Sequence, residues 1–234
     1  MMNWNPDEHY KSRKVASEYD RERFASIPGR VFNHLEKRAI TKCFARVPKG
    51  CTIADAPCGT GRLAEPLLAA GYRVHGLDIS DEMLEMARQR LRRFPDRFAC
   101  EVVDVKASRP CEPPYDAALC ARVLMHFPLD QQIEFLTGVA RLSRSIVVIN
   151  HSLDSGYQRF RRRVKHWLGN QASANYPVSN ADIRVLLQQS GLREVQRYRL
   201  ASLVSEAIYI VAERITPAAE SARARPSQSA AAVS

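Results

Sequence analysis

The chain has 234 residues, of which 45% are hydrophobic and 26% charged, as is usual for a globular protein with one sizeable core. No apolar run approaches the ~20 residues that a membrane-spanning helix requires, and the N-terminus lacks the apolar core of a signal peptide, so we expect a cytoplasmic protein. The formal net charge of +10 favours an anionic partner: a small acidic molecule, RNA or the surface of an anionic membrane.

The six cysteines form no C-x-x-C pair and do not alternate with histidine in a metal-binding spacing. Scattered cysteines of this kind are typical of reduced thiols rather than of a disulfide framework. We therefore predict no bound metal.

The segment from Asp7 to Arg46 is polar and charged and contains no strand-like run. It predicts two helices that are separated near Ser26-Ile-Pro-Gly29. In the second helix, Val31, Leu35 and Ile40 form an apolar stripe.

Residues 51–78 predict a strand, a tight glycine turn, a helix and a second strand. Residues 52–54 suit a buried strand, and Gly59 and Gly61 allow the backbone to reverse sharply beside a ligand. Asp78 ends the second strand. In a parallel pairing its carboxylate stands next to the turn, where it suits the two hydroxyls of a ribose.

The residues around the glycines separate two classes of ligand. Residues 59–64 also satisfy the dinucleotide pattern G-x-G-x-x-G/A, which keeps a nicotinamide cofactor open. Asp55, however, ends the first strand. Its carboxylate can receive an ammonium group, whereas it would repel a pyrophosphate at the helix N-terminus. We therefore predict a cofactor in which a nucleoside carries an amino acid.

Strands and helices continue to alternate after Asp78. We predict strands at residues 98–103, 115–120, 145–150, 192–200 and 205–213, and helices that start after Ser80, at Asp130 and after Ser179. Ligands of such sheets lie beyond the carboxyl ends of the strands. Cys120, Ala121 and Arg122 are therefore expected to face the cofactor and the substrate.

Two histidines follow predicted strands and are candidate general bases. His126 comes after the fourth strand and His151 after the fifth. Each would assist if the acceptor is a hydroxyl, and each also suits a structural role in its loop.

Residues 154–176 interrupt the alternation and predict a basic amphipathic helix. Its aromatic face includes Tyr157 and Trp167, and the remaining faces carry Arg159, Arg162 and Arg163. Such a helix can recognise phosphate or carboxylate groups, lie on an anionic membrane surface, or act only as a solvated lid.

The segment Asp55-Ala-Pro-Cys-Gly-Thr-Gly-Arg62, with Asp78 at the next strand's end, resembles the first two motifs of the class I S-adenosylmethionine-dependent methyltransferases, in their ubiquinone-biosynthesis-like branch. The stretch from Tyr115 to His126 is a third match. The resemblance covers about residues 10–214 and departs at Pro57, where the family usually has a glycine. It implies a Rossmann-like α/β fold with a seven-stranded, mostly parallel sheet, helices on both faces and a final antiparallel strand.

The resemblance also divides the chain into regions. Residues 1–48 are expected to form a helical cap over the cofactor and residues 49–215 the cofactor-binding domain, with a substrate lid at about 151–178. Residues 216–234 are rich in Ala, Ser, Pro and Arg, which predicts a disordered tail.

S-adenosylmethionine is the implied cofactor. In the family, an acid after the third strand accepts the adenine amino group and the next backbone amide donates to the ring, and a tyrosine and an arginine of the N-terminal helices close over the methionine end. The predicted cofactor-binding residues are Tyr19, Arg30, Asp55, Pro57, Cys58, Gly59, Gly61, Asp78, Ile79, Met83, Asp104, Val105, Cys120 and Ala121. The predicted substrate-binding residues are Arg122, Tyr157, Arg159, Arg162, Arg163 and Trp167.

The implied activity is methyl transfer to a small or lipid-linked, acidic metabolite by a monomer or homodimer. An RNA methyltransferase, favoured by the charge, and a cofactor-binding protein without turnover are the alternatives. No Asn-Pro-Pro-Tyr-like segment follows the fourth strand, which disfavours enzymes that methylate the amino groups of nucleic-acid bases.

Overall fold

A computed structural model describes residues 26–107, 114–154, 176–200 and 207–215. Seven strands form one sheet in the order β3-β2-β1-β4-β5-β7-β6. The strands are β1 (Thr52–Asp55), β2 (Arg73–Asp78), β3 (Phe98–Val102), β4 (Tyr115–Cys120), β5 (Ser143–Ser152), β6 (Leu192–Arg199) and β7 (Ala207–Arg214).

Strand β7 runs antiparallel to both of its neighbours, and the other pairs are parallel. The predicted mostly parallel sheet with a final antiparallel strand is confirmed. The chain order reverses between β1 and β4. A ligand site is expected at the carboxyl ends of these two strands, because their connections leave in opposite directions.

In the part of the chain that the structure describes, five α-helices surround the sheet. They are α1 (Ile27–Cys43), α2 (Ala64–Ala69), α3 (Asp81–Leu91), α4 (Leu129–Leu142) and α5 (Asn180–Gln189), and a 3₁₀ helix spans Leu124–His126.

Helices cover both faces of the sheet. Along β1, Ile53 packs with α1 and α2 in one cluster, while Ala54 packs with α4 and α5 in another. In β5, Ile146 belongs to the first of these clusters and Val147 to the second. Successive strand residues point to opposite faces, so both faces of the parallel region are buried.

The break that we predicted near Ser26 is the start of a helix. The Ser26 hydroxyl accepts a hydrogen bond from the Gly29 amide at 3.2 Å and caps α1. The first predicted helix, most of the substrate lid and the predicted tail lie outside the described residues.

Helix α4 fixes the loop that follows β3. A Cβ atom on Gly138 would lie 2.2 Å from the carbonyl oxygen of Val105, so only glycine allows this approach. The contact holds Val105 at the carboxyl end of β3. Within the described residues, no helix is long and apolar enough to cross a membrane.

Candidate active site

The glycine turn after β1 adopts the predicted sharp reversal. Gly59 has φ of 54° and Gly61 has φ of 71°, both in the left-handed region that favours glycine. A Cβ atom on Gly61 would lie 2.8 Å from Cδ1 of Leu91 and 3.1 Å from Cβ of Ala87. The turn therefore packs directly on α3.

Asp78 lies beside this turn, as predicted from the parallel pairing of β1 and β2. Its Oδ2 accepts the Gly59 amide at 2.7 Å, and its Oδ1 accepts the Ser80 amide at 3.0 Å. Burial raises the pKa of Asp78, and hydrogen bonds from the amides of Ser80, Gly59 and Ile79 oppose that rise. Each carboxylate oxygen has a further lone pair with which it can accept a ribose hydroxyl.

Asp55 presents a buried acid to the same pocket. The residue is 1% exposed, and its Oδ2 has no hydrogen-bond partner among the described residues. Burial raises the pKa of Asp55 well above its usual range, and the negative charge of Asp78 adds to this rise. A hydrogen bond from the Cys58 thiol and the positive charge of Arg62 oppose it. A buried carboxylate oxygen without a partner fits an arriving ammonium group, because that cation would offset the cost of its burial.

The expected adenine end lies beyond β3. Asp104 is exposed, and its Oδ1 accepts the Lys106 amide at 2.9 Å, which folds the loop. Val105 is buried next to it. Ile79 and Met83 complete this end of the pocket.

One pocket joins these groups at the carboxyl ends of β1 to β4. Of the predicted cofactor residues, its lining includes Asp55, Pro57, Cys58, Gly59, Asp78, Ile79, Met83, Asp104, Val105 and Ala121. Gly61 shapes the turn through its contact with α3. The observed geometry therefore brings together the acid, the glycine turn and the second acid that the sequence predicted.

Three predicted cofactor residues are not part of this arrangement. Cys120 is fully buried in the core on the α4 side, where burial raises the pKa of its thiol, and it does not line the pocket. The strand continues through Cys120, so Ala121 is the first residue to reach the pocket. Arg30 is exposed on the first turn of α1, outside the lining. Tyr19 lies outside the described residues.

His151 is a structural residue, and the prediction that it acts as a base is wrong. It is fully buried, because β5 continues to Ser152. Its Nε2 donates to Oε1 of Gln132 at 2.9 Å, and its Nδ1 accepts the Ser152 amide at 2.9 Å. Burial lowers the pKa of His151 to about 4. Both ring nitrogens are occupied and neither faces the pocket.

His126 lies in the 3₁₀ helix after β4 and lines the pocket. Its position agrees with the prediction of a base, and its role stays a prediction.

A buried ionic cluster next to the pocket was missed at the sequence level. Glu36 of α1 is fully buried, and its Oε2 lies 2.8 Å from Nη1 of Arg62. Its Oε1 accepts the Tyr209 hydroxyl at 2.6 Å and lies 3.5 Å from Nη1 of Arg122. The only signal in the sequence is an acid on the inward face of α1, next to Ala39 and Ile40.

Arg122 occupies a strained position at the pocket wall. Its φ of 69° is left-handed, which costs a residue with a Cβ atom roughly 1–2 kcal/mol. Its guanidinium lies 6.0 Å from the centre of the Phe32 ring. The lining position agrees with our prediction. Its role in substrate binding stays a prediction, and the other predicted substrate residues lie outside the described residues.

Comparison with known proteins agrees with this geometry. Residues 53–145 match the family described as methyltransferase domain. The chain is 26% identical over 150 residues to the magnesium protoporphyrin IX methyltransferase of Arabidopsis thaliana, covering 63% of this chain and 48% of that protein. It is 32% identical over 95 residues to a ubiquinone biosynthesis O-methyltransferase of Nitrosomonas europaea, covering 40% of each.

A solved structure shows the same fold. The magnesium protoporphyrin IX methyltransferase of Synechocystis, crystallised with S-adenosylhomocysteine, superposes with a TM-score of 0.72 at 18% identity, covering 89% of this chain and 97% of that one. In sequence, the chain spans 48% and 63% of the length of the two magnesium-protoporphyrin methyltransferases that it matches.

The burial of His151 predicts a specific pH dependence of stability. The pKa of His151 is about 4 in the folded protein and 6.5 in the unfolded chain, so the unfolded chain binds the proton more readily. The free energy of unfolding therefore keeps its full value above pH 6.5 and decreases as the pH falls towards 4. The difference corresponds to about 3 kcal/mol. His151→Asn should therefore flatten the decline in the free energy of unfolding between pH 7 and 4.5, measured by urea titration. In His34→Gln, which changes an exposed histidine, the free energy of unfolding should decline with pH as it does in the wild type. Equal slopes for wild type and His151→Asn would contradict this account.

Asp78 both fixes the glycine turn and faces the pocket, so replacing its carboxylate by an amide should weaken cofactor binding. Asp78→Asn keeps the shape but directs an NH2 group at a backbone N–H donor and removes the charge. We expect the affinity for S-adenosylhomocysteine, measured by calorimetry, to fall by about 1–3 kcal/mol, or roughly 5- to 150-fold. Asp81→Asn, on the exposed first turn of α3, should bind as the wild type does. Unchanged affinity in Asp78→Asn would remove Asp78 from the site.

Proposed function

We propose that the chain is a class I S-adenosylmethionine-dependent methyltransferase, which transfers a methyl group from S-adenosylmethionine to a small or lipid-linked acceptor that carries an acidic group. The observation that carries this proposal is the single pocket in which Asp55, the glycine turn and Asp78 adjoin Arg122 and His126. One wall fits the cofactor and the other offers a cation and a proton acceptor.

The residues present fit the ammonium group, the ribose and the adenine of the cofactor. The open oxygen of Asp55 would hold the ammonium group, and Asp78 would hold the ribose hydroxyls. Asp104 and the backbone of Val105 would hold the adenine. When bound, S-adenosylmethionine supplies a methyl group on a sulfonium, so the protein's own contribution is to align the acceptor and exclude water.

The acidic character of the acceptor is inferred from the charges around Glu36. Two guanidinium groups, those of Arg62 and Arg122, share this one carboxylate and both line the pocket. Arg62 is the more closely held, at 2.8 Å against 3.5 Å for Arg122. The more loosely held guanidinium of Arg122 is therefore the group that favours a carboxylate or phosphate on the acceptor.

His126 is the proposed proton acceptor if the acceptor group is a hydroxyl. It is the histidine that both follows β4 and lines the pocket, whereas His151 is buried in the core. An amine that arrives unprotonated, or an enolate, would react without a base. A substrate of low molecular weight is also favoured by the relatives, whose names refer to magnesium protoporphyrin and to ubiquinone biosynthesis.

The proposal predicts which molecules acquire the methyl group. Purified protein is incubated with methyl-labelled S-adenosylmethionine and a metabolite extract of its source organism, and the products are separated by anion exchange. We expect label in small molecules that bind the column at neutral pH. Arg122→Gln should reduce this label more strongly than Arg92→Gln, which changes the exposed residue that follows α3.

Two results would contradict the proposal. Label only in the unbound, neutral fraction would overturn the acidic acceptor, and label that precipitates with RNA would favour the RNA methyltransferase. Absence of any label under conditions where S-adenosylmethionine binds would favour a cofactor-binding protein without turnover.

A further inference from the structure

Helix α1 has an exposed apolar stripe on the side that faces away from the sheet. Ile27, Val31 and Leu35 are 69%, 54% and 37% exposed. They are spaced four residues apart, so they lie above one another on one helical face. Among the described residues, seven large hydrophobic side chains are exposed, and these three are the only ones that share a helix face.

Between residues 26 and 50, which the structure describes in full, the exposed charges are all positive. Between residues 26 and 50 the sequence has six lysines and arginines and a single acid, Glu36. Glu36 is fully buried against Arg62, and Lys37 pairs with Glu65. The exposed cations of this segment are Arg30, Arg38, Lys42, Arg46 and Lys49.

An apolar stripe among cations matches the chemistry of an anionic lipid surface. Lipid phosphates attract the cations, and the acyl boundary accepts the apolar side chains. RNA would satisfy the cations and leave the stripe in water. We propose that the outer face of α1 docks on the surface of an anionic membrane, with Ile27, Val31 and Leu35 inserted between lipid headgroups.

The inner face of the same helix contacts the wall of the active-site pocket. Asn33 accepts a hydrogen bond from Nη1 of Arg62 at 2.8 Å, and Glu36 holds Arg62 and Arg122. Docking of α1 would therefore bring that wall close to the lipid. The docking itself does not rest on methyl transfer, so it is tested without a substrate.

The test is co-sedimentation of the full-length protein with extruded vesicles. One set contains phosphatidylcholine alone, and the other contains phosphatidylcholine with 30% phosphatidylglycerol. We expect binding to the anionic vesicles that weakens as salt is raised, and little binding to the neutral ones.

Two variants address the two parts of the surface. Val31→Asp/Leu35→Asp should abolish binding, and Arg38→Gln/Lys42→Gln should weaken it at least about tenfold, since each surface cation contributes roughly fivefold. The matched controls are Val185→Asp and Arg92→Gln/Arg184→Gln, which change exposed residues of α5 and the exposed residue after α3 and should bind as the wild type does. Calorimetric binding of S-adenosylhomocysteine verifies that each variant is folded.

Several outcomes would overturn the proposal. These are no binding of the wild type to anionic vesicles, equal losses in the control variants, or wild-type binding in both α1 variants. A shift from dimer to monomer in Val31→Asp/Leu35→Asp, without vesicle binding by the wild type, would assign the stripe to a second copy of the chain. Binding to polyuridylate but not to vesicles would assign the cations to RNA.

Discussion

The hydrogen bond from the Gly59 amide to Asp78 holds the two halves of the cofactor site together. Strands β1 and β2 are parallel neighbours, with Asp55 opposite Gly76, so the tip of β2 extends past the end of β1 to meet the turn. Gly76 makes this possible, because a Cβ atom there would lie 2.6 Å from Sγ of Cys58. The same carboxylate thus fixes the turn and faces the pocket, and the conformation of the site depends on it.

A second buried acid joins the N-terminal helix to this site. Glu36 pairs with Arg62 of the glycine turn and with Arg122 at the end of β4, and it accepts a hydrogen bond from the hydroxyl of Tyr209 in β7. A charge buried without such partners would cost several kcal/mol, so the cluster fixes how α1 sits on the domain. The cluster lies on the inner face of α1, next to the pocket, and the apolar stripe lies on the outer face of the same helix.

Local patterns were enough to predict the glycine turn, the positions of Asp55 and Asp78 beside it, and the alternation of strands and helices, because each depends on residues close together in the chain. The strand directions were expected only from the family resemblance. Other features depend on where a strand ends in three dimensions. Strand β5 runs to Ser152, which places His151 in the core, and β4 runs through Cys120, which leaves Ala121 at the pocket. The partners of Glu36 could not be predicted from local patterns, because one of them, Tyr209, lies 173 residues away in sequence.

We infer that the pocket binds a nucleoside that carries an amino acid, with Asp55 receiving the ammonium group. Calorimetric titration with S-adenosylhomocysteine, 5′-methylthioadenosine and NADH tests it directly, because the second ligand lacks the amino acid and the third carries a pyrophosphate. We expect S-adenosylhomocysteine to bind most tightly, methylthioadenosine to bind at least about tenfold more weakly, and NADH not to bind. Equal affinities for the first two would contradict the role of Asp55, and binding of NADH alone would contradict the whole assignment.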